Sequence, residues 1–460
     1  MKKYILKSSL LFASLMVAGG AMAQNTNSGY FVDEYTYRHQ LNPAFGNENE
    51  YVAMPALGNV NFGLQGNLHL TDIFYNVNGQ TTTFLNPKVD VNEFMANIED
   101  KNSLGANIRL DILSAGFKAF GGYNTIGINA RVNTGTSIPR ALFSLAKEGV
   151  SNNTYDISDF NVHADGYVEV ALGHSRNITD KLRVGGALKF LVGLANVDAE
   201  FEKAQLTLGE DAWTAVTNAT IQSNIKGMRF TNTVNSSTGH EYVNGVELNG
   251  FGVGGFGVAF DLGATYRLND DWQFSAAVLD LGFVSWSSNV VASTNGEQTF
   301  TTDIYTFNIN DDAVNSFDNE LEKLKNDVSS LYELNNMGNT GSRTRMLGAT
   351  LNIVYSAKAE YTFPLYRPLK FGLLNTTRLL KNFTTTEFRL SANVAPVKIF
   401  SAGINFAAGT YGCGFGWLLN LHPKGFNLFV GMDHTFFKIA KQGIPLNSNA
   451  SFNVGINFPF

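Results

Sequence analysis

A chain of 460 residues with one cysteine, Cys413, makes no internal disulfide and builds no zinc site. Charge is scarce too: 16% of the residues are charged, against about 25% in an ordinary soluble domain. Beyond the N-terminus no apolar run reaches the roughly 18 residues that a spanning helix requires, which excludes a helical membrane protein. The formal charge of −6 gives no basic excess for a nucleic-acid partner, whose phosphates ask for one. With 10 prolines, a hydrophobic share of 44% and a mean hydropathy of −0.06, neither disorder nor collagen fits.

What is abundant is aromatic. The 36 Phe and 17 Tyr outnumber the 33 Lys plus Arg, and near-zero hydropathy means that apolar residues are interleaved with polar ones. The N-terminus reads as an export label: Lys2, Lys3 and Lys7, an apolar core from Leu10 to Val17, then Gly19, Gly20 and the triplet Ala21, Met22, Ala23. Residues 1–23 are expected to be removed before Gln24, and no cysteine follows to carry a lipid.

Most of the remaining chain alternates with period two, which places successive side chains on opposite faces of a strand. Val60, Phe62, Leu64, Leu68 and Leu70 alternate with Asn59, Asn61, Gln65, Asn67 and His69. The pattern returns at Leu182–Leu194, Phe256–Tyr266, Leu347–Tyr361 and Phe388–Val394. Runs of ten or more residues exceed the usual five or six of a soluble sandwich and match a tilted strand crossing a bilayer. An exported, aromatic, charge-poor chain of such strands reads as all-β: a 14-stranded antiparallel transmembrane β-barrel in the outer membrane of a Gram-negative bacterium. Arg183, Lys189, Asp261, Lys358, Glu360 and Arg389 then face the lumen as a paired network.

Strands are expected near residues 59–70, 104–120, 125–133, 166–175, 182–194, 254–267, 272–284, 346–363, 369–375, 385–394, 398–407, 411–421, 425–434 and 450–460. Short turns after even strands alternate with long segments after odd ones (71–103, 134–165, 195–253 and 285–345), so the long ones are external and both termini periplasmic. Only the gap around Gly409 breaks the trend. The barrel domain spans 59–460, and the 24–58 stretch is long enough to enter the lumen. In the loop 285–345, Val314, Phe317, Leu321, Leu324, Val328 and Leu331 recur every three or four residues, which predicts an amphipathic helix. Shorter helices are expected over Arg140–Lys147 and Val91–Ile98. Phe452 to Phe460 forms a closing dyad strand, with Phe458 and Phe460 as the terminal aromatics.

Chemistry-bearing motifs are weak. Gly252, Gly254, Gly255 and Gly257 match a dinucleotide fingerprint, but a dyad strand follows where that motif needs a helix. The seven histidines form no metal-ligand spacing, and His174 and Ser175 are adjacent, hence on opposite faces. No enzyme, cofactor or metal is expected.

Leu41-Asn42-Pro43-Ala44-Phe45 resembles the Asn-Pro-Ala element in the N-terminal segment of long-chain fatty-acid transporter-like barrels. The fourteen strands, and a stretch before the first strand that could enter the lumen, are similar as well. Val278-Leu279-Asp280-Leu281-Gly282-Phe283 with Trp286 resembles a motif of a related outer-membrane barrel family of unknown function. The resemblance implies that Asn42, Pro43, Ala44 and Phe45 are plug elements, and that the two largest external loops surround a hydrophobic capture groove. Phe317, Leu321, Leu324 and Val328 are the candidate groove, and the closing Phe458 and Phe460 resemble an assembly signal read by barrel-assembly machinery. The leading expectation is passive uptake of small hydrophobic molecules, with outer-membrane lipids, lipopolysaccharide and the assembly machinery as partners. The rival is a non-transporting barrel that binds or assembles secreted or surface proteins, since a shared fold does not fix a shared function.

Overall fold

The computed structural model describes residues 26–435 and 449–460, apart from 48, 149–152, 209–211, 236–238, 295, 304–332, 360–368 and 381–382. Fourteen strands form the wall: β1 Val60–Gly66, β2 Lys101–Ala119, β3 Gly122–Pro139, β4 Asn161–Asn177, β5 Leu182–Leu208, β6 Gly255–Arg267 and β7 Trp272–Trp286. They continue with β8 Ala349–Ala359, β9 Leu369–Leu379, β10 Thr385–Val397, β11 Phe400–Gly409, β12 Gly412–Leu421, β13 Asn427–Met432 and β14 Ala450–Pro459. Each pairs antiparallel with its sequence neighbours, and β14 returns to β1 with Val60 opposite Val454 and Phe62 opposite Phe452. Closure leaves the ring without an edge, the condition for placing a sheet in hydrocarbon. A short strand, Tyr51–Ala53, sits ahead of β1 and pairs with β14 and β2, setting Tyr51 opposite Pro459.

The dyad pattern sorts as the sequence reading expects. Along β10, Phe388 and Leu390 are 55% and 60% exposed while Arg389 between them is 1% exposed. Phe260, Leu262, Ile404 and Phe406 also face outwards, forming the lipid side of a transmembrane barrel. Asparagine dominates the inner face, with Asn107, Asn129, Asn352, Asn405, Asn420 and Asn453 all buried. Among the described residues no helix is long and apolar enough to cross a membrane.

Turns alternate in length as expected, save that only residues 380–384 follow β9 and 410–411 follow β11, against 360–368 after β8. Between β2 and β3 only Phe120 and Gly121 intervene, both at positive φ (55° and 72°), the geometry that a two-residue hairpin needs to follow strand twist. The external side departs from the expected loops most at β5, and also carries the hairpins Phe74–Val77 with Gln80–Thr83 and Met228–Val234 with Glu241–Leu248. β5 runs on for 27 residues and pairs beyond the wall with Ala212–Ser223, which in turn pairs with Val290–Ser293 and Gln298–Asp303. Residues 195–208 still alternate, but with charged and polar partners such as Asp198, Glu200 and Glu202. Outside the bilayer a strand needs no continuous greasy face, and the charged residues between 198 and 203 obscured the alternation of Val197, Ala199 and Phe201. The helices Val91–Ala96 (α1) and Arg140–Glu148 (α2) form where the spacing predicts them, and Asp90 caps α1 by accepting the Glu93 N–H at 2.9 Å.

Candidate functional site

Residues 26–47 lie inside the ring. They fold into two 3₁₀ turns, Asn27–Gly29 and Thr36–Gln40, around buried Tyr30, Phe31, Tyr35, Tyr37 and Leu41. Such short turns leave backbone carbonyls without helical partners, and the asparagines of the wall supply donors. Asn352 donates to the Leu41 carbonyl at 2.9 Å; Asn420 and Asn427 both donate to that of Glu34 at 3.1 and 3.3 Å. At the other end the Asp433 carboxylate accepts the N–H groups of Asn27 and Ser28 at 2.8 and 2.6 Å. Tyr35 meets Phe429 edge to face at 4.9 Å, and Asp33 bridges Arg38 and Lys370 at 2.7 and 2.8 Å.

Asn42, Pro43, Ala44 and Phe45 form one turn of this segment. The Asn42 carboxamide oxygen accepts the Ala44 N–H at 2.9 Å, closing an Asx turn, while its nitrogen donates to the Tyr30 hydroxyl at 3.2 Å and the Ala276 carbonyl at 3.3 Å. Phe45 stands edge-on to Tyr30 at 5.2 Å beneath the Arg38 guanidinium, 4.0 Å from the ring centre. Phe458 and Phe460 lie apart from this turn: Phe458 faces outwards near the end of β14, and exposed Phe460 donates its backbone N–H to the Glu50 carbonyl at 3.0 Å. Phe317, Leu321, Leu324 and Val328 lie outside the described residues.

Around the turn runs a buried ion network. Lys189 contacts Asp261 at 2.6 Å and Asp280 at 2.7 Å. Arg131 grips Asp280 with two nitrogens at 2.9 and 3.0 Å and reaches Glu169 at 2.9 Å. Arg109 adds Asp111 at 3.3 Å and Glu169 at 3.7 Å. Lys189 and Asp261 were legible from strand parity. Glu169, Arg131 and Arg109 obey the same parity, each between two apolar residues: Val168 and Val170, Ala130 and Val132, Ile108 and Leu110. Asp280 was concealed for another reason. Strict alternation from Leu279 would turn it to the lipid, but a bulge opposite Asp261 gives it φ +59°, and its N–H donates to the Asp261 carboxylate at 2.7 Å. Both Leu279 and Asp280 therefore point inwards, and the motif resemblance centres on that bulge.

Two further clusters line the wall. Glu387 bridges Arg389 at 2.6 Å and His434 at 2.8 Å, with Arg389 also bonded to Asn405. Nearer the external side His163 lies between Asp198 at 2.8 Å and Asp165 at 2.9 Å, and Arg343 and Arg345 contact Asp198 at 2.9 and 3.2 Å. Above the rim, α1 and α2 pack with the first external loop into an apolar cluster in which Phe84 stacks on Phe94 at 4.4 Å and Phe143 meets both edge-on.

Fold and lumen together define a transmembrane β-barrel plugged by its own N-terminal segment. Residues 43–433 match the model of a family of unknown function, DUF5723, and the chain belongs to that family. No curated protein matches. Among solved structures, the toluene transporter TbuX of Ralstonia pickettii aligns over 91% of this chain and 91% of its own, with 9% identity and a TM-score of 0.39. The toluene transporter TodX of P. putida aligns over 91% and 92%, with 9% identity and a TM-score of 0.37. A FadL homologue of Pseudomonas aeruginosa aligns over 96% and 94%, with 9% identity and a TM-score of 0.38.

Proposed function

We propose that the protein is an outer-membrane barrel of a Gram-negative bacterium for passive uptake of small hydrophobic molecules. The observation that supports it best is the occupied lumen: a general pore needs a wet open channel, whereas here residues 26–47 are bonded to the wall on several sides. A solute-specific barrel captures its solute outside and passes it when the plug shifts. The first external loop exposes Phe74 and Leu85 beside the buried apolar cluster of α1 and α2, which gives greasy surface on that side, and Phe317, Leu321, Leu324 and Val328 complete the proposed groove. Lipopolysaccharide around the rim and assembly machinery acting at Phe458 and Phe460 belong to the same reading, which assigns no enzymatic step.

One observation favours the rival reading. The sheet that continues β5 beyond the wall is larger than capture of a small molecule requires, and it offers backbone and side chains to a secreted or surface protein. Vesicles carrying the purified barrel separate the two. Uptake of a fluorescent fatty acid that stops when residues 24–50 are locked to the wall by an engineered disulfide supports transport. Absence of uptake together with a stoichiometric protein partner from the native membrane would move the assignment to assembly.

A further inference from the structure

The greasy side of the wall does not end at one height. An apolar band about 25 Å tall takes roughly ten residues of a tilted strand, so counted along β6 from exposed Tyr266 it ends near Phe256. The outward neighbours at that level are already polar: Ser285 of β7 lies opposite Phe256, and Thr344, in the strand Arg343–Met346 beside β7, lies opposite Ser285. The chain ahead of Phe256 nevertheless stays apolar. Val246, Leu248, Phe251 and Val253 are all exposed, Phe251 by 64%. Scattered apolar residues on a surface need no explanation, whereas a clustered set marks an interaction site.

Strand register says on which side of the wall this run lies. Asp198 of β5 meets His163, which is in step with lumenal Glu169 along β4, so the next residue, Ala199, faces outwards. Ile221 lies opposite Ala199, Ala292 lies opposite Ile221, and directly opposed residues share a face. Phe230 is buried in one apolar cluster with Ala292, Val290 and Ile221. The hairpin Met228–Val234 with Glu241–Leu248 therefore stands on the outer face of the extended sheet, over the lipid and not over the lumen. Val246 and Leu248, opposite Phe230 and Met228, share its apolar face, whereas Arg229 and Glu247 pair with each other on the opposite one. At the foot of the hairpin exposed Lys226 lies over Gly252, where a Cβ would meet its Cδ at 3.7 Å, and its ammonium makes no ion pair among the described residues.

We propose that the apolar face of this hairpin and the stem leading from it to Phe256 rest in the external leaflet of the membrane, continuing the lipid-facing belt of β6. Val246, Leu248, Phe251 and Val253 meet acyl chains, and Lys226 lays its aliphatic stem along them while its ammonium reaches a lipid phosphate. The seat is one-sided, because β11 and β12 on another part of the wall are joined by residues 410–411 alone. It rests on the transmembrane barrel and not on the uptake reading.

Bimane on single cysteines tests the seat in the full mature protein carrying Cys413→Ser. Phe251→Cys, Phe260→Cys on the belt and Arg229→Cys on the charged face are labelled and placed in vesicles of phosphatidylcholine and phosphatidylglycerol, with or without bromine on the acyl chains. The heat-modifiable gel shift of the folded barrel is checked for each, and Val253→Cys takes the place of Phe251→Cys if that variant does not fold. Brominated chains should quench the label at 251 as strongly as the one at 260, and aqueous iodide should quench only the one at 229. A label at 251 that answers to iodide as the one at 229 does would overturn the lipid contact. Protection from iodide in native membranes but not in the vesicles would put a protein partner on this face and overturn it as well. Lys226→Glu should weaken bromine quenching at 251 when phosphatidylglycerol is present and spare it in phosphatidylcholine alone; no difference between the two lipids would overturn the phosphate contact.

Discussion

Gly263 and Asn42 are matched surfaces: a Cβ on residue 263 would overlap the Asn42 carboxamide oxygen, and one on the neighbouring wall position, Gly185, would overlap the Pro43 carbonyl. Two glycines on adjacent strands β5 and β6 thus admit the turn at residues 42–45 to the wall. We predict that Gly263→Leu leaves the barrel closed but ejects this turn. Planar-bilayer recordings should show low steady conductance for the native protein and open-channel currents for the variant. Identical currents from the two would mean that the turn does not seal the lumen.

The alternation along β8 makes a second prediction. Asn352 is 1% exposed and bonded to the Leu41 carbonyl, whereas Ile353 is 37% exposed on the lipid side. An arginine on the lipid face at mid-membrane costs about 2–4 kcal/mol. Ile353→Arg should therefore lower the folded fraction in urea titrations, while Asn352→Ser should loosen the N-terminal segment and leave the barrel folded. Equal losses of folded barrel would place the register wrongly.

Lys189 is the shared cation of Asp261 and Asp280. Removing one partner of a buried ion pair costs about 3–5 kcal/mol because the remaining charge is uncompensated. Lys189→Met should lower the unfolding midpoint, and adding Asp261→Asn should recover part of the loss. No recovery in the double variant would show that the loss comes from packing and not from charge.

Deleting Phe460 should lower the yield of folded barrel in the native membrane with little effect on refolding of the purified chain. The side chain is exposed, and only its backbone N–H is tied down, to Glu50. Equal loss in both settings would indicate a structural and not a recognition role.

Leu321→Asp combined with Leu324→Asp should weaken binding of a fluorescent fatty acid in detergent and spare the gel shift of the folded barrel. Unchanged binding would remove residues 317–328 from the proposed groove.

Most of the wall was legible because lipid on one face and a polar lumen on the other impose period two on every crossing strand. Strand β7 shows where that rule fails: nothing in Leu279-Asp280-Leu281 announces a positive φ, so parity alone sends Asp280 to the lipid. The extension of β5 was hidden because Asp198, Glu200, Glu202 and Lys203 crowd its alternation with charge once hydrocarbon is left behind. The placing of the hairpin Met228–Val234 with Glu241–Leu248 was out of reach for a third reason. Val246, Leu248, Phe251 and Val253 are unremarkable in sequence, and only the register of β5 with the strands beyond the wall sets the hairpin on the outer face of the sheet.

Asn27 and Ser28 are bonded to Asp433, 406 and 405 residues further along the chain. Contacts between such distant positions are slow to form, because a long loop must close before they offer any stabilisation. The earliest segment of the described chain therefore has no home until β13 and β14 have been delivered. On the outer-membrane reading proposed above, it has to stay unaggregated during export with Tyr30, Phe31, Tyr35 and Tyr37 uncovered, and its docking is expected to follow ring closure.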